Sequence, residues 1–367
     1  MATREWRCEC GAVFELEGAP PFSRQAVKSD ELTLWRYRAM LPIEHEENIV
    51  SLGEGFTPLV ETNVYSLPIL CKLEFLAPTG SFKDRGTTVL VSALREMGVE
   101  RVVEDSSGNA AASLAAYCAR AGIRARIFVP AHASPAKLAQ IAVYGAELVP
   151  VEGPRERAAA AAQDAATKAY YASHYYNPLP LEGLKTFAYE VWEQLGGTAP
   201  HNLVFPVGHG TFLLGAYGGF GELLAAGLIE HVPRLFAVQA RACAPLYEAY
   251  RRGMKDVPPV AEGQTIAEGI RIAHPVRGRQ VLQAIRETGG TVLTVDDGET
   301  QRARDILARL GLYVEPTSAA AVAGLRKLDK IIAPGEITVV PLTGSGLKSP
   351  VENRGTEGKT PLVPSVP

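Results

Sequence analysis

From about residue 100 the chain alternates short apolar runs with longer helical ones, and this alternation leaves few folds open. RVVED (101–105) precedes an Ala-rich stretch that ends near Gly122, RARIFVP (124–130) precedes SPAKLAQIAVYG, and AELVPVEG precedes RERAAAAAQDAATKAY. HNLVFPVG, RLFAVQA, TVLTVDD and ITVVPLTG continue the pattern toward the C-terminus. Strands at this spacing, joined by helices, predict an α/β fold with a mainly parallel sheet covered on both faces. The strands read as nearly continuous apolar runs, as strands buried on both faces do. Such sheets bind ligands at the carboxyl ends of their strands, so the turns leading into helices are where chemistry is to be sought. With 367 residues, 47% of them hydrophobic, the chain is long for one average domain; two units, or one large unit with an insert, are expected.

Thirty-seven basic against 40 acidic residues give a formal net charge of −3, and no Lys/Arg run stands out. That balance offers no field for nucleic acid and favours a small-molecule partner. No apolar stretch approaches the roughly 20 residues of a membrane span. MATREWRCECG lacks the apolar core of a signal peptide, so a cytoplasmic protein with no membrane partner is expected. Cys8, Cys10, Cys71, Cys118 and Cys243 are too scattered for a disulfide framework. Cys8 and Cys10 form a degenerate C-x-C-G with no second pair downstream, short of the four ligands of a structural zinc, and no metal site is expected. Residues 1–45, including LWRYRAMLP, read as an arm over the main body, and the Pro-, Gly- and charge-rich 349–367 as a disordered tail.

Three turns carry the candidate chemistry. In LAPTGSFKDRG (76–86), Val89, Leu90, Ala93, Leu94 and Met97 follow helical spacing, and Thr79 and Ser81 are good N-cap types. Lys83 therefore falls in or beside the first helical turn, where the macrodipole disfavours a cation by roughly 0.3–1 kcal/mol. Desolvation adds to this and favours the neutral, nucleophilic amine; a surface lysine paired with Asp84 is the ordinary alternative. In EDSSGNAAAS (104–113), Ser106, Ser107, Gly108 and Asn109 offer N–H groups at a helix start to an anion the size of a carboxylate. In FPVGHGTFLLGAYGG (205–219), Gly208, His209, Gly210 and Thr211 follow an apolar strand and open a helix, a cradle suited to phosphate. This is neither a Walker loop nor G-x-G-x-x-G, which also argues against a nucleotide-dependent dehydrogenase. Lysine, carboxylate nest and phosphate nest together suit pyridoxal 5′-phosphate, and Thr343, after ITVVP, is placed to offer a hydroxyl to a pyridine nitrogen.

PTGSFKDRG, SSGNAAAS, the GHGT turn, EPTSAAAVAG (315–324) and LTGSGLK resemble, in order, the motifs of fold-type II (tryptophan synthase β-like) pyridoxal-phosphate enzymes. SLGEGFTPLV (51–60), LWRYR (34–38), IRIAHP (270–275) and the N-terminal cysteines extend the resemblance to threonine synthases. The resemblance implies two three-layer αβα domains with mostly parallel sheets: a large cofactor-binding domain (46–90 and 186–348), a small inserted domain (91–185) that closes over it, and commonly a homodimer. It implies that Lys83 is the Schiff-base lysine and general base at Cα, and that Asn109 bonds the cofactor's phenolic oxygen. Ser106, Ser107 and the Ala110 N–H would hold the substrate carboxylate. Gly208, His209, Gly210 and Thr211 would cradle the phosphate, and Thr343 would face the ring nitrogen.

The chain departs from the pattern at HYYNPLPLEGLKT (174–186), where threonine synthases carry a segment like N-S-x-N-P-x-R-x-E-G-Q-K-T. His174 and Tyr175 replace the Asn and Ser, Pro180 the Arg and Leu184 the Gln, which removes a charge-assisted fork for the substrate's phosphate. The GHGT turn also lacks the family's Asn. A less charged leaving group follows, in a pocket bearing His174, Tyr175 and Tyr176, with His174 as a candidate acid. Glu268 is a further candidate neighbour of the ring. The expected activity is elimination or replacement at Cβ or Cγ of a small L-amino acid, with O-phosphohomoserine to threonine as one version. Deamination of serine or threonine and replacement on an O-activated serine are alternatives, and a non-catalytic cofactor- or amino-acid-binding protein is a third.

Overall fold

A hairpin that the alternation does not announce opens the main body. In a computed structural model describing residues 5–133 and 135–349, β1 (Leu59–Val64) and β2 (Leu67–Lys72) pair antiparallel. Tyr65 and Ser66 turn between them with φ of 55° and 63°. Positive φ at both turn positions is the geometry of the tight hairpin turn that matches strand twist, usually supplied by Asn-Gly. The Tyr-Ser pair hides it in the sequence.

The other elements are α1 (Lys83–Glu96), β3 (Arg101–Glu104), α2 (Asn109–Ala121), β4 (Arg124–Pro130), α3 (Pro135–Val143), β5 (Glu147–Val151), α4 (Arg155–Ala165), β6 (Tyr170–Tyr171) and α5 (Leu179–Gln194). They continue with β7 (Asn202–Pro206), α6 (Thr211–Ala225), β8 (Arg234–Ala240), α7 (Pro245–Arg251), α8 (Gly278–Glu287), β9 (Thr291–Val295), α9 (Asp297–Arg309), α10 (Pro316–Gly324) and β10 (Thr338–Pro341). Every strand expected from the alternation is present, and the two-residue β6 joins them. The strands form two sheets, β1-β2-β10-β7-β8-β9 and β5-β4-β3-β6; apart from the β1–β2 hairpin, all neighbours run parallel. Except for Ser349, the C-terminal tail lies outside the described residues. No helix among those described is long and apolar enough to cross a membrane.

Helices cover both sheets, and their apolar faces form the cores. Phe187, Phe205, Phe212 and Phe220 lie in one cluster against the six-stranded sheet. Leu34, Trp35, Val89, Leu94, Leu114 and Ile127 form another around α1, α2 and the four-stranded sheet. Two glycines set how closely α1 and α5 cross. A Cβ on Gly183 would stand 1.8 Å from the Arg85 carbonyl oxygen, and one on Gly86 would stand 2.9 Å from Pro180. The backbones touch there, which fixes α5 directly behind Lys83.

Candidate active site

Lys83 is the first residue of α1, and the turn before it is tied down on three sides. Phe82 N–H donates to the Thr343 carbonyl at 3.0 Å, and Ser81 bridges to Gly344, so the turn after β10 holds the entry to the helix. Asp84 turns away from Lys83. It accepts from Thr79 N–H (2.7 Å), Thr79 Oγ1 (2.6 Å) and Ser113 Oγ (2.6 Å), which removes the alternative of a lysine paired with its neighbour. The N-cap position falls to Phe82 rather than Thr79 or Ser81. Ser81 Oγ is buried with no hydrogen-bond partner among the described residues. Burial drives the Lys83 amine down to about 8, with Arg155 adding to the effect while Glu104 and Glu315 oppose it. An amine held there supplies the free base near neutral pH.

A cavity opens beside this amine, lined by Lys83, Glu104, Ala110, His174, Pro180 and Thr211 among others. The β3–α2 and β7–α6 turns deliver Glu104, Ala110 and Thr211 to this lining, and the turn after β10 lies beside Lys83 through the Phe82 N–H bond to Thr343. The β3–α2 turn brings Glu104 to Ala110; there Gly108 N–H bonds Ser106 Oγ at 3.2 Å, and Ser106 N–H bonds Glu104 Oε2 at 3.1 Å. Asn109 opens α2, and its Nδ2 donates to both oxygens of Glu315, at 3.2 and 2.9 Å. The β7–α6 turn brings Gly208 to Thr211. A Cβ on Gly208 would meet Ile272 at 2.9 Å, and one on Gly210, where φ is +83°, would meet Val281 at 2.3 Å. Only glycine fits there, so backbone N–H groups stay open at the start of α6. After β10, Thr343 Oγ1 lies 2.9 Å from Ser318 Oγ of the EPTSAAAVAG segment.

The remaining wall follows β6. His174 Nδ1 lies 2.7 Å from Glu104 Oε1. Burial pushes Glu104 up to about 7, against the Ser106 N–H, Lys83 and Arg155, and burial pushes the His174 imidazole down. Tyr175 is not among the lining side chains. Its ring stacks on His209 at 4.1 Å, and its hydroxyl, with that of Tyr171, donates to Asp105. It therefore backs the phosphate-type turn instead of facing Lys83. Glu268 is exposed on a short turn of 3-10 helix (Glu268–Ile270), whose next residues pack on Gly208.

The profile of the family described as pyridoxal-phosphate dependent enzyme matches residues 50–344. The chain belongs to that family. It is 39% identical over 360 residues to a threonine synthase of Methanocaldococcus jannaschii, covering 94% of this chain and 89% of the relative. A threonine synthase of Synechocystis sp. is 35% identical over 349 residues, with 90% and 87% covered. Among solved structures, a threonine deaminase from T.th. superposes with a TM-score of 0.68 at 25% identity, covering 79% of this chain and 92% of that one. Maize serine racemase, at 21% identity and a TM-score of 0.67, shares the fold, with 79% and 88% covered. The chain is thus a fold-type II pyridoxal-phosphate-dependent lyase, similar to threonine synthases, with elimination or replacement at Cβ or Cγ as its chemistry.

The residues fit that cofactor. Its phosphate would suit the glycine turn at the start of α6, beside the buried His209 Nδ1, which has no hydrogen-bond partner among the described residues. The buried amine of Lys83 would suit its aldehyde, and the Thr343 hydroxyl, 2.9 Å from Ser318 Oγ, would suit its ring nitrogen. No group of three His, Cys, Asp or Glu side chains that could hold a metal occurs among the described residues.

Glu104, Asp105 and Glu315 are the site residues that motif reading passed over. A carboxylate ending an apolar strand, as Glu104 ends RVVE, was the available cue, since strand ends in such sheets face the ligand crevice.

Proposed function

We propose that this enzyme removes a small neutral group, a hydroxyl in the first instance, from Cβ of a small L-amino acid, and that serine and threonine are the substrates to examine first. The observation that carries this reading is the wall facing Lys83. Among the described residues, Lys83 is the only Lys or Arg lining the cavity, and Glu104, His174 and Pro180 line it too. A phosphate ester brings about two negative charges. Desolvating them beside the carboxyls of Glu104 and Asp105 is unfavourable; Pro180 occupies the place of the guanidinium fork, and Arg155, which faces Glu104 and His174 from the start of α4, does not line the cavity.

When bound, pyridoxal 5′-phosphate would supply an aldehyde for the substrate amine and an electron sink for the pair left at Cα. The chain supplies the rest. Lys83 takes the Cα proton. Ser106, Ser107 and the Ala110 N–H bind the carboxylate, and Asn109 and Thr343 orient the ring. Gly208, His209, Gly210 and Thr211 hold the phosphate. In this reading residues 91–185 form the small domain that closes over residues 46–90 and 186–348, with 1–45 as an arm, and the protein works as a cytoplasmic homodimer.

The test is a substrate panel on the cofactor-loaded enzyme. Keto acid from L-serine or L-threonine is expected, with little phosphate released from O-phosphohomoserine; Pro180→Arg should raise phosphate release. Rapid phosphate release by the wild type, with both hydroxy amino acids inert, would restore the threonine synthase reaction that the two relatives' names describe.

A further inference from the structure

A hydroxyl is a poor leaving group, and its departure needs a proton at the oxygen. Glu104 and His174 are built to deliver one. β3 and β6 run parallel with Val103 opposite Tyr171, so Glu104, which ends β3, and His174, three residues past β6, reach the same wall. Glu104 is 1% exposed, and its two oxygens are spoken for by Ser106 N–H and His174 Nδ1. His174 keeps about a sixth of its side chain open (16%) and lines the cavity with Lys83. With Nδ1 engaged, Nε2 is the ring atom left for a substrate, and no hydrogen-bond partner reaches it among the described residues.

We propose that Glu104 and His174 form a proton relay to the departing oxygen: the carboxyl proton of Glu104 passes to Nδ1 while the Nε2 proton passes to that oxygen. The proposal rests on the hydroxyl reading above. Lys83 takes the Cα proton, and the electron pair of that C–H bond becomes the second bond between Cα and Cβ. The Cβ–O bond breaks with its pair on oxygen, which leaves as water carrying the Nε2 proton. Glu104 is left as carboxylate, His174 as the other neutral tautomer and Lys83 as ammonium. Charge is conserved, and the new ammonium lies across the cavity from the new carboxylate. The Lys83 proton returns through solvent to Nε2 of His174 while the Nδ1 proton passes back to Glu104, which resets both groups.

The surroundings favour storing the proton on Glu104. Burial raises the carboxyl to about 7 and disfavours imidazolium at His174. The other groups facing the pair are Lys83 from α1, Asp105 from the β3–α2 turn, Arg155 from the start of α4, and Tyr175 and His209. Asp105 cannot take the role, because Tyr171 Oη (2.6 Å) and Tyr175 Oη (3.1 Å) already donate to it.

The experiment compares wild type and Glu104→Gln, both loaded with cofactor, on L-serine, L-threonine and β-chloro-L-alanine, whose chloride leaves without a proton. The carboxamide retains a hydrogen bond to Nδ1 but supplies no acid. A loss of about 10²–10⁴-fold in kcat is expected on the hydroxy amino acids. β-Chloroalanine turnover should fall at least about tenfold less than serine turnover, because Lys83 still serves as base but the chloride needs no proton. Independently of turnover, the infrared spectrum of the cofactor-free wild type at about pH 6 should show a buried protonated carboxyl that Glu104→Gln lacks. If Glu104→Gln does not retain cofactor, His174→Gln carries the same comparison, since it removes the Nε2–H donor. Equal losses on all three substrates, no loss on any, or an unchanged infrared band would each overturn the relay. A wild type that releases phosphate from O-phosphohomoserine and leaves serine and threonine untouched overturns the hydroxyl reading, and the relay with it. A serine-active wild type with an unimpaired variant overturns the relay alone.

Discussion

Lys83 combines two unfavourable placements: it begins a helix, at the positive end of the dipole, and its amine is taken from water. Both act on the ammonium and neither on the amine, so the position selects the nucleophile. The sequence makes the dipole half of this visible through the helical spacing after residue 83. It leaves Glu104 and Glu315 out of sight, and these are the groups that hold the amine near 8 against further depression. The consequence is a pH dependence. In cofactor-free protein the fraction of free amine rises through about 8, not through the ordinary lysine value of 10.5. The rate at which pyridoxal 5′-phosphate forms its yellow adduct should therefore level off by about pH 9. Glu104→Gln and Glu315→Gln each remove an opposing charge, and each should move that midpoint lower. Stopped-flow absorbance reads it directly. A rate still climbing tenfold per pH unit at about pH 9.5 would show an ordinary, hydrated lysine.

Between elements, a buried ion network joins α5 to the hairpin and α1, beside the close backbone contact at Gly183 and Gly86. Arg85 donates to Glu74 and Glu190 at 2.6–2.7 Å, and Lys72 Nζ reaches Glu190 at 2.8 Å, all four side chains being fully buried. Burial alone would raise Glu190, but Arg85 and Lys72 outweigh it and hold the carboxyl at about 2. Because the folded state lowers this pKa, the stabilisation is complete above the ordinary value of 4.5 and fades as pH falls toward 2. Glu190→Gln leaves two buried cations short of a partner and should cost about 3–5 kcal/mol at pH 7. Its urea midpoint should also fall less steeply than wild type between pH 4.5 and 3. Parallel acid limbs, or a cost below about 1 kcal/mol, would show the network to be as weak as a surface pair. None of this network was legible in advance. Strand–helix alternation reports burial through apolar runs; Lys72 and Glu190 sit inside such runs as apparent exceptions, and Arg85, in KDRGTT, sits in a polar stretch that reads as exposed. The turns were legible because Gly, Ser, Asn and Thr at helix starts have local geometry. The hairpin was not, because Tyr65 and Ser66 take left-handed backbone without a glycine to mark it.

Across the whole molecule, the site draws on the ends of β3 and β6 in one sheet and of β7 and β10 in the other. Something must therefore hold the segment after β6 against the six-stranded unit. Arg277, at the start of α8 and 1% exposed, does this. Its Nε donates to the Tyr175 carbonyl at 2.9 Å, and Nη2 donates to the carbonyls of Tyr176 at 2.9 Å and Phe14 at 3.0 Å. One guanidinium thus ties the N-terminal segment, the loop carrying His174 and a helix of the large sheet, with carbonyl oxygens instead of a carboxylate. Burial accordingly lowers its pKa to about 10, which still leaves it charged at neutral pH. Arg277→Met keeps the volume and removes all three bonds. Tyr175 would then lose its anchor while His209, stacked on it, would lose its backing. The variant should bind pyridoxal 5′-phosphate more weakly and raise KM more than it lowers kcat, because the loop is displaced while Lys83 is untouched. Limited proteolysis should cut between residues 5 and 20 sooner than in wild type. Phe14 is bonded to the Arg277 side chain through its carbonyl, so arm and loop are released by one event, and a variant with loose loop but protected arm would show that the two are held separately.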